Sequence, residues 1–284
     1  MKLALGGAQF GLKYGILNYS KIKKKEIKKI EKFFFFKKIK LIDTSMNYGD
    51  SEYIIGKSNL KKLKIVTKIK LPNSKNIDLR KWLKNKIFNS LKKLNTKKIH
   101  GLLIHDVNDL KKKRGKLFLD ILKEFKRKKI VEKIGISIYS PYELKVIWKK
   151  WKPDIVQAPL NVLDQRILKT GWINKLKKNK VEIHIRSCFL QGILISDIKN
   201  VKRFNKYSKT INIFVEWCKK NNVSRLKACL HFVKKFKKID YLILGINDAN
   251  QLMQILKIFE QKLIFVPNIF STNNLSLIDP RKWN

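Results

Sequence analysis

The sequence predicts a (β/α)8 barrel, and three observations predict it. Short apolar runs of strand character alternate along the chain with amphipathic runs of helical period. Eight strand runs occur, the number that closes a parallel barrel. The chain has 284 residues, and a barrel of this class typically takes roughly 250.

The elements follow in order. KLALG (2–6) is the first strand. GGAQFG (6–11) lies behind it, without the G-x-G-x-x-G spacing of a dinucleotide loop and with no helix expected there. That disfavours the rival, a doubly wound open sheet. SKIKKKEIKKIEKFFFFKK (20–38) reads as a helix with Ser20 as N-cap. KLIDT (40–44) is strand two, and Asp50 can cap the helix SEYIIGK behind it. KIVTKI (64–69) is strand three. In 78–94, Leu79, Trp82, Leu83, Ile87, Leu91 and Leu94 form a helical stripe. HGLLIH (100–105) leads to a helix over 115–128. EKIGIS (132–137) leads to one over 141–151, where Ser140 caps and Pro141 takes the first position. DIVQA (154–158) precedes a helix over 167–179, and VEIHIR (181–186) precedes two, over 210–220 and 224–236. YLILG (241–245) is strand eight, with a helix over 248–260. No Gly/Ser linker divides the chain, so 1–284 reads as one domain with a tail from about 261.

Composition bounds the function. The net charge is +45, and only eight of the 66 basic residues are arginine. A polyanion binder is one reading of such a charge. Nucleic-acid readers, however, favour arginine and cluster their charge, whereas lysine here runs from Lys2 to Lys282. Lys, Ile and Asn share AT-rich codons, so base composition explains the bias and no specific nucleic acid is expected. Cys188, Cys218 and Cys229 form no CxxC pair, which fits a reducing cytoplasm and offers neither disulfide framework nor zinc site. The amino-terminal apolar run is too short for a signal peptide, and FFFF (33–36) is far too short for a membrane span.

In a barrel the chemistry sits at the carboxyl ends of the strands. There the sequence places Asp43 with Tyr48 in its loop, Lys68, His105, Ser137, Gln157, and Arg186 with Ser187. Each has a bland reading: a capping acid, a rim aromatic, one lysine among many. Jointly they form a proton-donating set. An ammonium stabilises a phenolate, a carboxylate holds the ammonium, and a histidine directs a carbonyl oxygen. No side chain supplies hydride, so a nicotinamide cofactor must. His100, five positions before His105, is expected to face outside the barrel; His184 and His231 read as structural.

IDTSMNYGDSE, the strand ending in Lys68, LLIH, KIGIS, IVQAPLNVLDQR and GINDANQL occur in that order. They resemble the aldo-keto reductases from Gly6 to about Leu256. The resemblance implies a barrel that reduces carbonyls with NADP or NAD bound at its mouth. It makes Tyr48 the general acid, tuned by Lys68 and Asp43, with His105 orienting the carbonyl. It places Ser137 and Gln157 on the nicotinamide carboxamide, with Ile138 where asparagine is usual. Arg186 stands where an aromatic stacks on nicotinamide. Ser187, Leu190 and Gly192 fit the pyrophosphate loop; Gly245, Asn247 and Gln251 fit the adenosine ribose. Asn161 matches the family's segment after strand six without an assigned role. Gln251 stands where arginine is frequent, and the choice between NADP and NAD stays open. RSCFLQG (186–192) resembles a bacterial branch associated with sugar and surface-glycan metabolism. LIDPRKW (277–283) resembles the C-terminal segment that closes over the site or packs beside it. A cytoplasmic monomer or small homo-oligomer acting on a small carbonyl compound is therefore expected; a nucleotide-sensing module with little turnover is the alternative.

Overall fold

In the computed structural model the described residues are 1–16, 21–33, 39–74, 76–197 and 202–283. Eight parallel strands close into a barrel in sequence order, with β8 hydrogen-bonded to β1. They are β1 (Lys2–Gly6), β2 (Ile39–Asp43), β3 (Lys64–Ile69), β4 (Ile99–Ile104), β5 (Val131–Ser137), β6 (Ile155–Pro159), β7 (Glu182–Arg186) and β8 (Tyr241–Gly245). Five of these strands differ from the sequence reading, by one residue at one or both ends. Strand alternation sorts the core. Ala4, Leu41, Val66, Leu103, Ile155 and Ile243 fill the interior. Their neighbours Leu5, Ile42, Ile65, Leu102, Val156 and Leu244 pack outward under the helices.

The helices are α1 (Ala8–Gly11), α2 (Lys24–Lys32), α3 (Ser51–Gly56), α4 (Leu79–Leu94), α5 (Gly115–Arg127), α6 (Pro141–Trp148), α7 (Arg166–Lys169), α8 (Trp172–Lys178), α9 (Ser208–Lys220), α10 (Arg225–Lys234), α11 (Ala249–Glu260) and α12 (Leu275–Ile278). In α5, Phe118, Ile121, Leu122 and Phe125 bury one stripe, the spacing an amphipathic helix requires. Asp78 caps α4 by accepting from Lys81, and left-handed Asn95 ends it.

Several expectations need correction. A single helical turn, α1, does follow β1. Ser20 and residues 34–38 lie outside the described residues. Asp50 precedes α3 but makes no capping bond; its carboxylate pairs with Lys21 at 3.6 Å instead. The helix expected over 167–179 is two, because Gly171 turns left-handed at φ 71° between them.

His100 does not face outward. Ile99 and Leu102, three positions apart, both join the outer layer, so the alternation slips by one residue between them. His100 turns inward, its Nδ1 2.9 Å from Glu132 and its Nε2 3.0 Å from Glu182 on β7. Glu182 also meets His184 Nε2 at 2.6 Å and the Lys133 ammonium. This network plugs the amino-terminal end of the barrel, the face where a barrel carries stability. Burial would raise the Glu182 pKa, but the donors His100, His184 and Lys133 outweigh it and hold the carboxyl well below its ordinary range.

Candidate active site

At the opposite end, β2 delivers Asp43 and β3 delivers Lys68. The Lys68 ammonium donates to Asp43 Oδ2 at 2.5 Å and to the Thr44 carbonyl at 2.9 Å. Its third N–H is left for the aromatic neighbour: Nζ lies 5.1 Å from the Tyr48 ring centroid. Asp43 Oδ1 accepts from Gln157 Nε2 at 2.7 Å. His105 stands edge-on to Tyr48, with ring centroids 5.8 Å apart. Thus four side chains from three consecutive strands and one loop meet at one rim.

The polar residues of IDTSMNYGDSE hold this rim in place. Thr44 Oγ1 and Ser51 Oγ share a 2.8 Å hydrogen bond, and the Ser51 hydroxyl donates to the Gly7 carbonyl at 2.7 Å. Glu52 accepts from Thr67 and Ser90 at 2.7 and 2.6 Å. Gly49 (φ 53°) turns the chain directly after Tyr48. Gly11 of α1 packs against that turn so closely that a Cβ on it would lie 1.7 Å from the Tyr48 carbonyl oxygen. Two glycines therefore fix the height of the phenol above the lysine.

Electrostatics follow from burial. Lys68 is 1% exposed. Burial lowers its pKa, and contact with Asp43 opposes that fall. Burial raises the Tyr48 pKa, as does the Asp43 charge, while Arg186 lowers it. His105 is pushed down to about 3 by burial and by the cations Lys68, Lys70 and Arg186. It is therefore a neutral imidazole at pH 7. Its Nδ1 lies 3.2 Å from Ser45 Oγ, a partner the sequence reading did not name.

A cavity opens over this rim. Asp43, Tyr48, Gln157 and Arg186 line one part of it; Ser187, Gln191 and Gly192 line the wall; Gly245, Asn247 and Gln251 line another part. Gln9 and Tyr14, from the segment behind β1, also line it and were missed in the sequence. Such a cleft at the carboxyl ends of the strands is where a barrel binds its ligands.

The model of the aldo/keto reductase family matches residues 2–264. The chain belongs to this family. It is accordingly an oxidoreductase that uses a nicotinamide cofactor. Two solved structures share the fold. An aldo-keto reductase from Bacillus halodurans in its holo form superposes with a TM-score of 0.71 at 15% identity, covering 93% of this chain and 88% of that one. The glycerol dehydrogenase of Gluconobacter oxydans gives 0.68 at 17% identity, covering 98% and 92%. No protein with a curated description matches by sequence.

In this aldo/keto reductase the residues expected at the cofactor divide into two groups. Gln157, Arg186, Ser187, Gly192, Gly245, Asn247 and Gln251 line the cavity. Ser137 lies behind Gln157, its hydroxyl 3.4 Å from Gln157 Oε1, and Leu190 is fully buried in the core. Leu190 shapes the loop after β7 through its backbone. With Ser187, Gln191 and Gly192 it adopts positive φ, a run of left-handed turns. Ile138 packs outward in the core, and only its carbonyl reaches the rim, accepting from Arg186. Asn161 is a brace: it donates to the Ser187 carbonyl at 3.0 Å and accepts from Leu163 and Asp164.

The lining suits a nucleotide. Among the described residues Asn247 Oδ1 is a buried acceptor without a partner, which a ribose hydroxyl would satisfy. Gln251 Oε1 accepts from the Asn247 N–H at 2.8 Å, and Asp248 caps α11 by accepting from the Gln251 N–H at 2.7 Å. The C-terminal tail packs beside the mouth, with Thr272 N donating to the Leu163 carbonyl and Gln165 Nε2 to that of Asn268. Among the described residues no helix is long and apolar enough to cross a membrane, and no group of side chains is set to hold a metal.

Proposed function

We propose that this chain reduces an aldehyde or ketone, sugar-like in character, to the alcohol, with Tyr48 as proton donor. One observation carries the reading: the buried Asp43–Lys68 pair sits directly under the Tyr48 ring, with a neutral His105 at its edge. When bound, the nicotinamide cofactor supplies hydride. Gln157, Arg186, Ser187, Gly192, Gly245, Asn247 and Gln251 are the residues that would hold it.

The protein's own residues handle the proton. The raised pKa of Tyr48 keeps the phenol protonated at neutral pH, so the acid is loaded before reaction. After donation its oxygen is a phenolate beside the cations Lys68 and Arg186, and both stabilise it. Asp43 holds the ammonium at that place and offsets its burial. His105 stays neutral, so it adds no competing acid. The Ser45 hydroxyl has one proton and two acceptors in reach, His105 Nδ1 at 3.2 Å and the Lys68 carbonyl at 3.3 Å; given to Nδ1, it leaves the imidazole proton on Nε2, free to donate to the carbonyl oxygen. The setting that fits this activity is the cytoplasm, where three buried free cysteines remain thiols.

The test is Tyr48→Phe, assayed against a panel of sugar aldehydes. Turnover should fall by about a hundredfold or more while NADH or NADPH still binds. Near wild-type turnover would rule out Tyr48 as the acid.

A further inference from the structure

We propose that Arg186 makes this site hold the reduced nicotinamide ring in preference to the oxidised one. The proposal rests on the reading above, that a nicotinamide nucleotide lies in the cavity with its ring beside Tyr48. The reduced ring is neutral, whereas the oxidised ring carries a formal positive charge. A fixed cation against the ring therefore penalises one redox state and not the other.

Arg186 has the properties of such a cation. It lines the cavity together with Asp43, Tyr48 and Gln157. The other two charges of the site cancel, since Asp43 and Lys68 are in contact at 2.5 Å. Arg186 has no such compensation. Its Nη1 donates to the Ser187 hydroxyl at 3.1 Å and its Nη2 to the Ile138 carbonyl at 2.9 Å, both neutral acceptors. Among the described residues no carboxylate pairs with it, and a guanidinium does not give up its proton. The site thus keeps one net positive charge.

The group is also held from behind. Its guanidinium carbon lies 4.2 Å from the Tyr139 ring centroid, and that of Arg281 lies 4.4 Å from the same centroid. Both guanidinium groups thus lie against the Tyr139 ring. Arg281, from the C-terminal tail, is fixed and neutralised by Asp279 at 2.6 Å and Glu143 at 3.0 Å. Glu143 also accepts the Tyr139 N–H at 2.9 Å. Tyr139 does not line the cavity, so the guanidinium meets the cavity on a side that Tyr139 leaves open. An aromatic at this position would offer the same flat support without charge; arginine adds the redox discrimination. The consequence is weak retention of the oxidised cofactor after turnover.

The test is equilibrium titration of the full chain with NADH, NAD+, NADPH and NADP+, comparing the wild type with Arg186→Gln, Arg186→Tyr and Arg186→Lys. The ratio of oxidised to reduced Kd should fall about tenfold or more in Arg186→Gln and Arg186→Tyr. It should stay near wild type in Arg186→Lys, which keeps the charge. The tyrosine variant preserves a flat surface should glutamine loosen the loop. An unchanged ratio in both uncharged variants that still bind nucleotide would overturn the role of Arg186 alone. Failure of the wild type to bind any of the four would overturn the cofactor reading and this inference with it.

Discussion

Breaking the Asp43–Lys68 pair from one side should cost far more than removing both charges. The two side chains are 7% and 1% exposed, so neither charge is well solvated. In Lys68→Met the Asp43 carboxylate keeps, among the described residues, only Gln157 as a side-chain donor. Stranding one partner of a buried pair costs ~3–5 kcal/mol. Gln157 places the expected loss near the lower limit, about 3 kcal/mol for Lys68→Met. Asp43→Asn leaves the Lys68 ammonium with the Thr44 carbonyl at 2.9 Å and an amide oxygen, so a similar loss is expected. At roughly 2–4 °C of melting temperature per kcal/mol in a chain of this size, each single variant should melt about 6–12 °C lower. The double variant Asp43→Asn/Lys68→Met contains neither charge and should recover most of this. Thermal and urea unfolding of the four proteins measure the coupling directly. Carbonyl reduction should be lost in all three variants, because Tyr48 loses its cation or the partner that holds it. If the double variant showed the sum of the two single losses, the pair would not be energetically coupled, and the electrostatic account of the site would fail.

Gly11→Ala should act on the reaction from outside the cavity lining. Its Cβ would lie 1.7 Å from the Tyr48 carbonyl oxygen and 2.6 Å from the Ser51 nitrogen, so the Tyr48 turn must move. A displacement of ~1 Å predicts a loss of kcat of about a hundredfold with nucleotide affinity retained, read by steady-state kinetics beside titration. Wild-type kcat would contradict the packing argument. At the other end of the barrel, Glu182 predicts acid lability. Its folded pKa is depressed, so its contribution is present above the ordinary value of 4.5 and is lost as pH falls below it. Unfolding in denaturant should show the wild type losing stability below about pH 4.5, with Glu182→Gln less stable at pH 7 and less dependent on pH. Equal pH dependence in both would remove Glu182 as the cause.

What the sequence made legible follows a physical pattern. Eight strands could be read because each is a compact apolar run, buried on both faces. Asp43, Lys68 and His105 stood out because each comes at the carboxyl end of such a run, and Tyr48 because Gly49 marks the turn that raises it. The stack of Arg186, Tyr139 and Arg281 was not legible. It joins the end of β7, the segment after β5 and the tail, with no local spacing to betray it. Gln9 and Tyr14 were hidden in a segment without strand or helix period. His100 was misplaced because a one-residue slip in β4 leaves no trace in composition. Asp50 is a good capping residue by type, yet Lys21 competes for its carboxylate, a contact that only the folded chain provides.

The central claim is that Tyr48 donates the proton while a nicotinamide nucleotide lies in the same cavity. Parallel measurement of NADH or NADPH affinity and aldehyde turnover in wild type and Tyr48→Phe tests both parts at once. The account predicts Kd within a few-fold of wild type, since the phenol oxygen is not needed to hold the nucleotide, and turnover lower by about a hundredfold or more. Undiminished turnover in Tyr48→Phe, or no nucleotide binding by the wild type, would contradict it.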